Sequence, residues 1–140
     1  MIFHCNFEEL TALRLGARAV LDEHVPEEAA VAAPPEERER VEHVLPRLHG
    51  DLSIETLAEH RMVRTAVKDI VERLRVEMEA TVASTHAADE GAVAAYFDFA
   101  HAYSVLSRLD EIGREMEALV ELMTGAPPSD DVARTFVFPD

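Results

Sequence analysis

The chain has 140 residues, 48% of them hydrophobic, and 13 basic against 28 acidic side chains give a formal charge of −15. That length suits one domain whose core needs no disulfide or metal staple, and the single Cys5 excludes an internal disulfide framework and fits a reducing, cytoplasmic setting. The acidity disfavours phosphate backbones and anionic bilayers, and no apolar run approaches a membrane span, so neither nucleic acid nor a membrane is an expected partner.

The opening residues MIFHC (1–5) are rich in strand formers and are followed by Asn6 and, three residues on, Glu9, the pattern of a capping box. MIFHCNFEELTALRLG lacks the basic start and apolar block of a secretory signal. A first helix is expected over about 7–24, with Phe7, Leu10, Leu13, Ala17 and Leu21 on one stripe. Residues 25–35 read as a Pro- and Ala-rich linker. A short second helix over EERERVEHVL then turns Val41, Val44, Leu45 and Leu48 inward and stops at Gly50. Ser53 is the expected cap of a long third helix, roughly 54–83, and Thr85 or Asp89 that of a fourth, roughly 88–123, which ends at Gly125 before Pro127 and Pro128. SDDVA adds a further turn, and residues 134–138, RTFVF, return to strand composition. The expected architecture is all-α: a single four-helix, bundle-like domain over 1–140 with a long antiparallel hairpin of helices 3 and 4. The two terminal extended segments either pair with each other or remain separate arms.

Projection at 100° per residue gives the helix 4 stripe as Ala95, Ala102, Val105, Leu109, Ile112, Met116 and Val120. Asp98 falls on that stripe and His101 to one side. The helix 3 stripe is Val63, Ala66, Val67, Ile70 and Leu74, with Glu59 and Glu77 towards its two ends and His60 at its edge. A turn near Ala87 pairs residues whose numbers sum to about 175, a register that follows from helix-hairpin geometry. It sets Ile70 against Val105, Ala66 against Leu109, and Glu77 against Asp98.

Glu77, Asp98 and His101 are therefore the candidate metal-ligating layer at the loop end of the hairpin. Two carboxylates in low dielectric need a cation, a shared proton or a metal; Arg14 and Arg73 are the available cations. The Asp98-x-x-His101 spacing resembles the Glu-x-x-His element of ferritin-like di-iron bundles, which use two such elements and two further carboxylates. Glu39 and Glu42–His43 on helix 2, or Glu59–His60 on helix 3, are the available complements here, and each acid–imidazole pair sits at adjacent positions that diverge on a helix. No cofactor is expected on this reading, and a divalent metal is the alternative. Zinc-finger, P-loop, GxGxxG and GxSxG patterns are all absent, and Cys5 has no basic sequence neighbour to activate it.

Tyr96, Phe97, Phe99 and Tyr103 lie off the helix 4 stripe and make that half of the helix apolar nearly all round, as for a helix covered on more than one side. The preferred reading is a non-enzymatic helical interaction module that forms a homodimer or binds a protein partner through these aromatics. The alternative is a metal- or ligand-binding bundle, enzymatic or not, that uses the carboxylate and histidine layer.

Overall fold

Helical structure starts at Asn6. Its side chain accepts a hydrogen bond from the Glu9 amide at 2.8 Å while the Glu9 carboxylate accepts one from the Asn6 amide at 2.9 Å. This reciprocal cap satisfies two otherwise orphaned donors and launches α1 (Phe7–Leu21). The computed structural model describes residues 1–21, 33–84 and 90–139. Within them follow α2 (Pro35–Val44) with a 3-10 turn (Leu45–Arg47), the long α3 (Leu57–Ser84) and α4 (Glu90–Thr124), and the short α5 (Asp130–Thr135). The all-α class and the long antiparallel hairpin expected from the sequence are both present. The expected linker, apart from residues 33–35, and the expected caps Thr85 and Asp89 lie outside the described residues.

Pro35 opens α2, where its missing N–H is no loss. Gly125, at φ +77°, closes α4 in the left-handed conformation that a side chain would resist. Ser129 caps α5 by accepting from the Val132 amide.

Two expectations are corrected. Ser53 does not cap α3, because it lies in a strand; the cap is Thr56, whose hydroxyl accepts from the Glu59 amide at 3.1 Å. Nor do the terminal segments pair with each other. β1 (Ile2–Phe3) runs antiparallel to β2 (Leu52–Ser53), with Ile2 opposite Ser53 and Phe3 opposite Leu52. Met1 and Ile54 exchange backbone hydrogen bonds at 2.8 and 3.0 Å. The C-terminal segment instead bridges Thr56 through Val137, and the Phe138 amide donates to the Glu55 carbonyl at 2.7 Å. Alternate residues of an extended chain present their backbone groups to opposite edges. The 52–56 segment therefore takes the N-terminus on one edge and the C-terminal segment on the other.

The core is formed where α1, α3 and α4 meet. Leu13, Ala17 and Val20 of α1 are buried with Val63, Val67, Ile70 and Leu74 of α3 and with Val105, Leu109 and Met116 of α4. Each fully buried aliphatic side chain of this kind contributes about 1.5–3 kcal/mol. Gly16 sets the approach of α1: a Cβ there would stand 2.6 Å from Ile70 Cγ2. Polar pins fix the periphery, with Arg40 of α2 forked onto Asp69 at 2.8 and 3.2 Å and Arg64 of α3 on Asp110 of α4 at 2.7 Å. The last pair, with His60 against Gly113, has residue numbers summing to 174 and 173, close to the expected hairpin register.

Candidate functional site

The loop end of the hairpin holds the three residues singled out by spacing. Asp98 lies half-buried on α4, one turn from the buried Ala102, as its place on the apolar stripe requires. Burial raises its pKa above the ordinary carboxylate value and the neighbouring His101 partly offsets that. Glu77 on α3 is more open, with its side chain 46% exposed and 3.9 Å from Arg73 one turn back. Burial raises its pKa too, and Arg73 opposes the shift. Each acid is tempered by a basic neighbour on its own helix, so the cation expected for this layer is Arg73. Arg14, the other candidate, is engaged elsewhere, donating to the Leu48 carbonyl at 2.5 Å. Among the described residues no three His, Cys, Asp or Glu side chains stand close enough together to hold a metal ion.

The aromatics divide. Tyr96, Phe97 and Tyr103 are each a little over half exposed, at 55%, 53% and 54%, and Val93 is exposed beside them. Phe99 is partly buried against the core, with its ring 5.8 Å from that of Tyr103. Tyr96 meets Phe97 edge-on at 5.8 Å, and Phe97 lies 6.5 Å from the His101 ring. Val93, Tyr96, Phe97, Ala100, Tyr103, Ser104 and Ser107 recur at three- and four-residue spacings, so they form one stripe opposite the buried face. None of them is charged, although 29% of the chain is.

The other end of the hairpin holds a histidine that the sequence placed at the edge of the stripe. His60 is buried at 5% exposure, and its Nε2 lies 2.7 Å from the Leu109 carbonyl oxygen of α4. An N–H there donates to an oxygen already inside a helix, using its second lone pair. The ring fits because residue 113 is glycine: a Cβ there would stand 2.4 Å from His60 Cε1. The His60 Nδ1 is buried with no hydrogen-bond partner among the described residues. The available sequence signal was a glycine in mid-helix near the register position of His60. Beside them α3 and α4 frame an open groove of about 610 Å³ whose lining includes Arg61, Arg64, Arg114, Asp110 and Glu117.

The other buried polar side chain among the described residues, Glu9, accepts from Arg108 Nη2 at 2.5 Å as well as capping α1. Arg108 also donates to the His4 carbonyl at 2.9 Å and lies 4.9 Å over the Phe3 ring, which ties the N-terminus to α4. Cys5 sits in this corner. Burial first, then Glu9, push its thiol up to about 11, and Arg108 offsets only part of that, so the thiolate needed for nucleophilic chemistry is suppressed. No helix of the described residues is long and apolar enough to cross a membrane. No protein-family model, curated protein or solved structure matches the chain.

Proposed function

We propose that the protein is a non-enzymatic helical interaction module that works as a homodimer in the cytoplasm, joined through α4. The observation that carries this reading is the uncharged stripe of Val93, Tyr96, Phe97 and Tyr103, exposed on a chain of charge −15. Two copies of so acidic a chain repel almost anywhere else on their surfaces, and along this stripe they can meet without opposing carboxylates. A two-fold pairing also sets the same rings against one another, as an isologous interface requires. An aromatic side chain buries about 150–250 Å² in full, so three half-exposed rings per copy supply on the order of 600 Å². Val93, Ala100, Ser104 and the margin of Phe99 must add the rest, which puts the dimer at the small end of stable interfaces. The same net charge argues against a nucleic-acid or membrane partner.

Sedimentation equilibrium tests the proposal. The wild type should be a dimer, and Phe97→Asp should weaken association at least tenfold while leaving helicity unchanged. A wild-type monomer at high micromolar concentration refutes it.

A second reading has its own support. Glu77 and Asp98 are both shifted upward by burial on neighbouring helices, and His101 lies one turn from Asp98. On that reading the layer takes a divalent metal or a small ligand. Stoichiometric manganese, iron or zinc in protein purified without a histidine tag, lost in His101→Ala, would favour it over the interaction module.

A further inference from the structure

The groove beside His60 is basic on an acidic protein. Three of the chain's 13 Lys and Arg residues line it, against two acids. The two acids are both engaged but unequally. Asp110 holds Arg64 at 2.7 Å, whereas Glu117 reaches Arg61 at 3.5 Å with both side chains nearly half exposed. A long, solvated pair of that kind contributes little. Arg114 has no hydrogen-bond or ion-pair partner among the described residues, although it stands on α4 between Asp110 and Glu117. Gly113 contributes no side chain to the groove, because the His60 ring occupies the space its Cβ would take, and the Nδ1 of that ring is buried beside it without a hydrogen-bond partner among the described residues.

We infer that this groove binds a small oxyanion, a phosphate or carboxylate group, gripped by Arg61, Arg64 and Arg114. Guanidinium forks match the geometry of such groups, and Asp110 holds the Arg64 fork in place beforehand. The anion replaces Glu117 as the partner of Arg61 and gives Arg114 the partner it lacks. The groove's volume falls in the range of small-molecule sites, and its ion-lined, open character suits a charged ligand over an apolar one. The −15 charge of the whole chain does not oppose this, because distant carboxylates are screened beyond about 8 Å at physiological salt. An extended phosphate backbone, by contrast, would have to lie along the acidic surface outside the groove.

Titration calorimetry with inorganic phosphate, pyrophosphate and succinate, on the full chain at physiological ionic strength, tests the assignment. One saturable site per chain is expected, with affinity reduced at least tenfold in Arg114→Gln and in Arg61→Gln. It should be unchanged in Lys68→Gln, an exposed cation outside the groove. Tighter binding of the phosphates assigns a phosphoryl ligand, and tighter binding of succinate assigns a carboxylate. Circular dichroism confirms that the exposed-site variants are folded, and the Gly113 amide resonance should shift on binding. Absence of saturation with all three probes at millimolar concentration overturns the inference. Equal binding by wild type and Arg114→Gln overturns it too. Neither result depends on whether the chain dimerises.

Discussion

The two ends of the α3/α4 hairpin are built from the same two helices and differ in what covers them. From Leu57 to Leu74, and from Ala102 to Val120, a buried residue recurs on nearly every turn, and α1, α2 and α5 close over the outside. Beyond Leu74 no residue of α3 is buried, and before Ala102 only Ala92 of α4 is. The covered end accepts a buried imidazole and a buried carboxylate because each finds a partner across elements, His60 on Leu109 and Glu9 on Arg108. At the loop end the corresponding polar groups, Glu77, Asp98 and His101, rely on neighbours along their own helix and on water. Polar groups thus enter this bundle where a facing element supplies a donor or acceptor, as α4 does for both His60 and Glu9, and apolar groups remain exposed where no third element reaches.

The contrast can be broken most forcefully by truncating one apolar side chain at each end. Leu109→Ala should cost about 2–5 kcal/mol in urea denaturation, since it empties a fully buried site. Phe97→Ala should change the stability of the dilute monomer by under about 0.5 kcal/mol. Comparable losses would mean that the loop end is packed as well as the covered end.

Next in size is Gly113. Alanine there gains about 1 kcal/mol of helix propensity, but its Cβ would overlap the His60 ring, so the net should be a loss of about 1–3 kcal/mol. Removing the ring as well, in Gly113→Ala with His60→Ala, should show a favourable coupling in a double-mutant cycle. Strict additivity would show that the ring does not set the helix separation.

Asn6→Ala removes half of the α1 cap at the covered end and should cost about 1 kcal/mol. Thermal melts of this variant against wild type read the effect directly.

The smallest effect is expected at Asp98. Its folded pKa is raised, so the folded state binds its proton more readily than the unfolded state does. Its favourable contribution is therefore full below the unfolded carboxylate pKa and is lost as pH rises through the folded value. Asp98→Asn should raise the melting temperature slightly at pH 7 and not at pH 3. A destabilised Asp98→Asn at pH 7 would instead reveal a charge partner such as a metal.

Much of this organisation is legible in the residues themselves. The Asn6–Glu9 cap, the stripes of α3 and α4, the glycine stop at 125 and the half-buried place of Asp98 are set by local spacing, because a helix carries residues three and four apart onto one face. Even the hairpin register follows, since a short loop leaves two long helices one antiparallel solution. Three features needed the tertiary structure. Ser53 has the chemistry of a cap, but β1 draws it into a strand and passes the role to Thr56. The terminal segments have strand composition, yet which strand each joins is decided by chain closure through 52–56, far away in sequence. His60 sits at the edge of its own helix's stripe, and it is buried because Gly113 on another helix leaves room and the Leu109 carbonyl offers a partner. Periodicity along one helix reports the direction of a side chain; whether that direction ends in water or in protein depends on elements that pack there from elsewhere in the chain.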